Sequence, residues 1–460
     1  MMLRMDLGEL ARAAEAQIIG GVLPIEVTAV STDTRTLPSS ALFVALRGEN
    51  FDGHDFIETA VHKGAQALLV EEESSAAHSV PQLLVEDSLK SMGRMATQVR
   101  SHLDGPVVAV TGSNGKTSTK EMIAALMATR FEVLSTKGNY NNLIGLPLTL
   151  FGLEESHEAA VLEMGMNVPG EIEALTEIAR PTIGVITNVA GAHLEGLGSL
   201  EAVAQAKGEL FASLSDNAIA VINTDDPLVN TICRGYLKAQ QQITFGGSQE
   251  CDVRIVGVDT DAKGTKVSME IQGEAFDFVL PLVGRHHGHN AAAAAAVGLA
   301  CGLSAKEIAE GLTKVALPGG RFKVLSVEPR GWTLIDDTYN ANPASMHAAF
   351  ETFADLPAQR RIAVLGDMYE LGAETKAAHA GVGQDAVEHG VDVVIAVGEY
   401  HMDTISGLDS AAADAHGFST NEEAIEFLEG ILKSGDWVLV KGSRGMRMET
   451  IVNALSGGQD

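Results

Sequence analysis

A chain of 460 residues exceeds what one hydrophobic core usually serves, so two or three globular domains are expected. With 32 Lys and Arg against 61 Asp and Glu, the formal charge of −29 excludes nonspecific binding to nucleic acid or anionic lipid. A phosphate ligand is still allowed: screening ends exposed-charge effects beyond about 8 Å, whereas one lysine at about 4 Å in a partly buried site is worth about 4 kcal/mol before desolvation.

No apolar stretch reaches the roughly 18 residues of a membrane span; NAAAAAAVGLACGL reads as a buried helix. The N-terminal MMLRMDLGELARAAEA places acids where an export signal needs an apolar run, so a cytoplasmic location is expected. Cys233, Cys251 and Cys301 lack any C-x-x-C spacing and read as buried thiols rather than a disulfide or zinc framework.

In chain order, residues 1–85 carry strand-like ALFVAL and AQALLVEE around helix-like HDFIETAVHKGA, the pattern of a small α/β domain. LLVEDSLKSMGRMATQVRSHLDG then reads as a strand end and a connecting amphipathic helix, with a boundary near residue 86. Over 86–316 the strands VVAVTG, AAVLEMG, IGVITNV and IAVIN alternate with helical segments. That predicts a mostly parallel sheet with ligand sites at the strands' carboxyl ends. The two-residue alternation of CDVRIVGVDTDAKGTKVSMEIQGEAFDFVLPL predicts an antiparallel flap. ALPGGRF marks a second boundary, and over 317–460 WTLIDD, RIAVLGDM, DVVIAVG and DWVLVKGS predict a Rossmann-like domain. No G-x-G-x-x-G follows its first strand, so a dinucleotide is not indicated. The fold class is α/β: a central mononucleotide-binding parallel sheet flanked by a small N-terminal and a Rossmann-like C-terminal domain.

The chemistry starts at VVAVTGSNGKTSTKEM. Strand, glycine-rich turn and helix in that order predict a phosphate cradle built from Gly112, Ser113, Asn114, Gly115, Lys116, Thr117 and Ser118. Backbone N–H groups from Gly112 to Thr117 would face phosphate, Lys116 would supply charge and Thr117 would hold Mg²⁺. The loop is shorter than G-x-x-x-x-G-K-[ST], because the nearest glycine upstream of Gly115 is Gly112. A hard cation needs oxygen ligands, and Glu163 at the end of AAVLE is the best candidate, a loop-capping acid being the alternative. His193 follows another strand and reads equally as a loop hydrogen-bonder. Lys207 lies in a probable helix, where a solvated pair with Glu201 or Glu209 is the plain reading. Asn290 reads as a helix N-cap or a purine-edge contact. Arg321 and Asp337 lie where a cation and a ribose-binding acid could reach a nucleotide, or form a hinge salt bridge.

Taken together the motifs resemble the Mur ligases of peptidoglycan synthesis, above all the dipeptide-adding members. STDTR, LFVALRG, DGHDF, TGSNGKTS, GNYNNLIGLPLTL, EMGMNVPGEI, AHLEGLGSLEAVAQAKGE, PGGRF, DDTYNANPASM and LGDMYELG follow in the family's order over nearly the whole chain. The resemblance implies an ATP-dependent amide ligase that joins D-alanyl-D-alanine to UDP-MurNAc-tripeptide through an acyl phosphate, acting as a monomer. It implies that Ser31, Thr34 and Arg35 bind the UDP substrate, and that Asn142, Asn290, Arg321 and Asp337 join the phosphate loop in binding ATP. Thr117 would serve one Mg²⁺, and Glu163, His193 and a carbamylated Lys207 a second. Lys116, Glu163, His193 and Lys207 would be catalytic, and Asn340, Asn342 and Ser345 would meet the dipeptide. One departure stands out: relatives commonly read H-N-x-x-N where this chain has HHGHN, with His287 in the place of the first asparagine. The alternatives are a sister ligase adding a single amino acid, a folylpolyglutamate synthase, or a nucleotide switch, against which the lack of an N-K-x-D motif argues.

Overall fold

Three sheets, one after another along the chain, set the architecture. The computed structural model describes residues 4–21, 24–48, 51–75, 79–191, 197–239, 241–317, 319–408 and 413–457. The first unit pairs β1 (Met5–Asp6) with β3 (Glu26–Val27). It stacks β2 (Gln17–Ile19), β4 (Ala29–Ser31), β5 (Ala41–Val44), β6 (Ala67–Val70) and β7 (Gln82–Leu84) in the order β2-β7-β6-β5-β4, with only β2 antiparallel. Helices α1 (Leu7–Ala14) and α2 (Ile57–His62) accompany this sheet.

The segment after the first boundary is a buried strut rather than a free linker. Helix α3 (Ser88–Arg100) starts on the Asp87 side-chain cap and buries Met92, Met95, Ala96 and Val99 in a core continuous with both neighbouring units. Ser91 and Arg94 donate to the Ala14 carbonyl at one end. At the other, the buried Arg100 guanidinium donates to the carbonyls of Ala179, Leu103 and Arg180.

The middle sheet has nine strands: β8 (Val107–Thr111), β9 (Val133–Ser135), β10 (Ala159–Glu163), β11 (Ile183–Ile186), β12 (Ile219–Asn223), β13 (Gln241–Gly246), β14 (Val253–Asp261), β15 (Gly264–Ile271) and β16 (Glu274–Leu280). Their order is β16-β15-β14-β13-β12-β11-β8-β10-β9. Strands β9 to β14 and β8 run parallel. The buried β8, β10 and β11 are continuous apolar runs, as burial on both faces requires. Chain order reverses beside β8, which opens a crevice at its carboxyl end.

The polar alternation after residue 251 does give antiparallel pairing, with a bulge between Ile255 and Gly257, but the segment is not a separate flap. Strand β14 pairs parallel with β13, so β14, β15 and β16 extend the main sheet. Around the sheet lie α4 (Lys116–Met127), α5 (Gly145–Phe151), α6 (Glu171–Ala179), α7 (Leu200–Ser213), α8 (His287–Ala300) and α9 (Ala305–Leu312). Alanine favours a helix without loss of side-chain entropy and allows close approach, so α8 is buried from Asn290 to Gly298.

The third sheet contains β17 (Lys323–Val327), β18 (Trp332–Asp337), β19 (Arg360–Gly366), β20 (Val393–Val397), β21 (Asp414–Phe418) and β22 (Asp436–Lys441). Their order is β17-β18-β22-β19-β20-β21, parallel except for β17. It carries α10 (Pro343–Asp355) and α11 (Thr375–Glu388). Among the described residues no helix is long and apolar enough to cross a membrane. All three cysteines are free thiols; Cys233 is buried, whereas Cys251 and Cys301 are only partly covered.

Candidate active site

A cavity of about 840 Å³ opens where the carboxyl ends of β8, β10, β11 and β12 face those of β18 and β22. Pockets of this size admit a nucleotide and its partner substrate. Its floor is the phosphate loop. Gly112 and Gly115 take φ of +150° and +76°. A Cβ on Gly112 would meet Thr187 Oγ1 at 1.9 Å, and one on Gly115 would meet Asn290 Oδ1 at 2.5 Å.

Not every amide of the loop is free for phosphate. Ser113 N–H donates to the Asn188 carbonyl at 3.0 Å, and Asn114 N–H donates to Asn188 Oδ1 at 2.9 Å. The expectation that all amides from Gly112 to Thr117 face phosphate is therefore corrected. Those of Lys116, Thr117 and Ser118, in the first turn of α4, have no intrahelical acceptor and remain for an anion at the positive helix end. Lys116 Nζ donates to the carbonyls of Gly112 and Ser113 at 2.7 and 3.2 Å. Burial lowers its pKa from the usual lysine value; the Glu163 carboxylate opposes this and the Arg321 guanidinium adds to it.

Next to the loop, Thr117 Oγ1 donates to Glu163 Oε2 at 2.7 Å. Asn141 Nδ2 donates to Glu163 Oε1 at 2.8 Å, and Glu163 N–H donates to Thr136 Oγ1 at 3.0 Å. A carboxylate only 2% exposed is thus held in one rotamer by two side-chain donors. Asn141 was missed in the sequence, where its neighbour Asn142 was favoured. Asn142 also lines the cavity, but its Oδ1 accepts from Gly145 N–H at 2.8 Å and Ile144 N–H at 3.2 Å, at the start of α5.

Lys207 is not the solvated helix lysine of the plain reading. It is 1% exposed on α7, and Glu209 instead accepts from the amides of Gly170 and Glu173 at the start of α6. Burial drives the Lys207 pKa well below the ordinary value; the Lys116 cation adds to this and Cys233 opposes it. Lys207 does not line the cavity itself. His193 lies outside the described residues.

Asn290 is not an N-cap, since α8 begins at His287. It sits inside the first turn, against Gly115, with Nδ2 3.4 Å from His287 Nδ1. His287 is 2% exposed, and burial pushes its pKa well below the ordinary histidine value, with His286 and Arg321 adding to the effect.

From the third unit, Arg321 stacks on Tyr339 with its Cζ 4.0 Å from the ring centroid, and its buried Nε has no hydrogen-bond partner among the described residues. Asp337 ends β18 and accepts from Lys441 Nζ at 2.7 Å and Phe322 N–H at 3.1 Å. Burial raises its pKa, while Lys441 opposes the rise. The hinge salt bridge weighed for Arg321 and Asp337 therefore forms between Asp337 and Lys441, a residue the sequence reading did not single out. Asn342 caps α10 in a capping box with Ser345, and its Nδ2 donates across the units to Asn114 Oδ1 at 2.8 Å. Asn340, whose carbonyl accepts from Lys441, also lines the cavity.

Ser31, Thr34 and Arg35 do not line it. Ser31 ends β4 in the first unit, and Thr34 and Arg35 follow it. Arg35 clamps Asp33 by three contacts of 2.7 to 3.0 Å and holds its carboxyl down to about 2. Ser31 Oγ donates to the Asp33 carbonyl, and the Thr34 carbonyl accepts from Lys63 Nζ.

Three family models match in succession: "Mur ligase family, catalytic domain" over 26–130, "Mur ligase middle domain" over 110–298, and "Mur ligase, glutamate ligase domain" over 320–444. The chain is 38% identical to the UDP-N-acetylmuramoyl-tripeptide--D-alanyl-D-alanine ligase of Escherichia coli (strain K12), covering 99% of each. The chain belongs to the Mur ligase family. This Mur ligase is also 36% identical to the ligase of the same name from Bacillus subtilis (strain 168), covering 93% of this chain and 92% of the relative. Its structure matches that of MurF from Acinetobacter baumannii with a TM-score of 0.92 at 30% identity, covering 99% of both. It matches MurF from Thermotoga maritima in complex with ADP with a TM-score of 0.83 at 29% identity, covering 94% of this chain and 97% of that one. Folylpolyglutamate synthase of Mycobacterium tuberculosis, at 16% identity and a TM-score of 0.65, shares the fold alone.

Proposed function

We propose that this Mur ligase uses ATP to join D-alanyl-D-alanine to UDP-MurNAc-tripeptide, in the cytoplasm and as a monomer. The substrates come from the names of full-length relatives at 38% and 36% identity. The chemistry rests on one observation: a threonine hydroxyl and a buried carboxylate in contact at the mouth of a phosphate loop, 2.7 Å apart.

Two oxygen donors at that distance fit a hard divalent ion. Thr117, Glu163, His193 and a carbamylated Lys207 are the residues proposed to hold two Mg²⁺. CO₂ adds only to a neutral amine, and burial favours the neutral form of Lys207. Bound Mg²⁺ offsets the charge of γ-phosphate and substrate carboxylate as they approach.

The rest falls to the chain's own groups. Lys116 and the first-turn amides of α4 orient the phosphates; Arg321, its Nε unpartnered among the described residues, supplies a cation from the opposite wall. Asp337, held by Lys441, offers an acceptor to a ribose hydroxyl, and Asn142 and Asn290 face the base. The γ-phosphoryl group passes to the terminal carboxylate of the tripeptide, and ADP leaves. The α-amine of the dipeptide, with a pKa of about 8 and so partly neutral, attacks the acyl carbon. The tetrahedral intermediate collapses to the amide and releases phosphate. Ser31, Thr34 and Arg35 hold the UDP end, and Asn340, Asn342 and Ser345 meet the dipeptide.

Phosphate release measured with ATP, UDP-MurNAc-tripeptide and a series of amines tests the reading. Release is expected with D-alanyl-D-alanine and to cease when either substrate is omitted. Release with a single amino acid or with glutamate, and none with the dipeptide, would assign a sister activity.

A further inference from the structure

Helices α10 and α11 bring three ligand-type side chains together away from the nucleotide cleft. His347 stands on α10, Asp385 on α11, and His389 immediately after α11, one helical turn beyond Asp385. His347 Nδ1 lies 3.0 Å from both oxygens of the Asp385 carboxylate, and His389 Nδ1 lies 3.1 Å from Oδ1. The two imidazoles meet edge to face, with ring centroids 5.2 Å apart and planes at 86°. One ligand atom from each residue falls within 4.8 Å of the others. Asp385 and His389 are about one-fifth exposed and His347 about half, so the group is a shallow, accessible notch.

We propose that this notch binds a single divalent ion of the zinc type, clamping α10 to α11. Two imidazole nitrogens with one carboxylate suit Zn²⁺ and its first-row neighbours, whereas Mg²⁺ and Ca²⁺ prefer all-oxygen sets. Tetrahedral zinc with bonds of about 2.0–2.1 Å places its ligand atoms about 3.3 Å apart. The His–Asp separations of 3.0 and 3.1 Å fall slightly short of that value and all three ligand atoms lie within 4.8 Å of one another, so rotamer adjustments open the set around an ion, and water completes the fourth position. His389 Nδ1 also lies 2.8 Å from the Asp385 carbonyl oxygen, a hydrogen bond that ligation through that nitrogen replaces. Glu351, whose Oε1 lies 3.7 Å from His347 Nε2, adds negative charge beside the notch. None of the three ligands lines the nucleotide cavity; Ala344, Ser345, Ala348 and Ala349, on the same helix, do. The site is therefore separate from the magnesium corner proposed at Thr117 and Glu163.

The test uses the full-length enzyme, stripped with a chelator and then kept in saturating Mg²⁺ and ADP so that the cleft's oxygen ligands are occupied. Titration with Zn²⁺ is expected to show one tight equivalent. Co²⁺ is expected to give the strong visible bands of tetrahedral coordination. Asp385→Asn and His389→Ala should each weaken zinc binding by at least about tenfold and abolish the cobalt bands, with Mg²⁺-supported turnover unchanged. His347→Gln, at a half-exposed position, gives the same readout should either of the others fail to fold. Equal zinc stoichiometry and affinity in the wild type and His347→Gln would overturn the proposal. So would a wild type that takes up no zinc beyond its cleft sites.

Discussion

The polar corner at the end of β10 and the one at the end of β4 are built from the same kinds of contact but in opposite surroundings. At Glu163 the carboxylate is 2% exposed and Lys207 nearby is 1% exposed, whereas the Arg35 side chain in the first unit is 87% exposed. Burying charge costs several kcal/mol per ion before pairing, so a buried corner is retained for what it does rather than for stability. The Asp33–Arg35 corner costs little to form and gains strength only when a ligand displaces its water. The middle unit thus holds its charged corner desolvated and fixed, whereas the first unit leaves its corner hydrated at the surface, which suits the UDP contact proposed for it.

The largest effect that sharpens this contrast is expected at Lys207. Its folded pKa lies below the unfolded value of about 10.4, so below that pH the desolvated amine costs the fold stability. Lys207→Met should reduce phosphate release by about 10²–10³-fold or more while ATP binding persists, because the phosphate loop is untouched. In CO₂-free buffer the same variant should melt higher, by roughly 2–4 °C for each kcal/mol recovered. A variant with full turnover would break the comparison.

The adjacent asparagines come next. Asn141→Ala removes a donor from a buried carboxylate and should lower kcat about tenfold or more with KM for ATP less affected. Asn142→Ala should instead leave kcat nearly unchanged, raise KM for ATP through the lost base contact and cost about 1 kcal/mol of stability through the start of α5, read by denaturant titration. Equal kinetic losses would contradict the division of labour seen in their hydrogen bonds.

A smaller effect is expected from pH. His287 has a depressed folded pKa, so the unfolded chain binds more protons and stability falls as pH drops below about 6.5. His287→Asn, which removes the titrating ring, should flatten the stability profile between about pH 5 and 7. The smallest effect belongs to the surface corner: Arg35→Ala should leave the melting midpoint unchanged and raise KM for the UDP substrate several-fold at constant kcat.

Much of this molecule was legible in the sequence because its signals are local. The run VVAVTG before SNGKTS can only be a buried strand entering a glycine turn, and the carboxyl-end position of Glu163 follows from where AAVLE stops. The alanine-rich α8 and four strands of the third sheet, β18, β19, β20 and β22, are similarly readable from runs of one residue class, whereas the edge strands β17 and β21 are not. Other readings failed where a side chain's partner lies far along the chain. Nothing near Lys207 in sequence tells that it is buried, since the two glutamates within reach of it are directed elsewhere or exposed. Lys441, at the end of DWVLVK, meets Asp337 only because β22 lies beside β18, more than a hundred residues apart in sequence.

The order of apolar and polar residues by itself determined the inner strands of the sheets and the phosphate loop, because periodicity and turn chemistry act over a few residues, and the ordered set of motifs carried the family resemblance. Tertiary structure alone decided which of two neighbouring asparagines holds Glu163, which lysine is stripped of water, and that Asn342 reaches Asn114 across two units. Those outcomes depend on desolvation and on hydrogen bonds between strand ends, and both are set by how the sheets face one another.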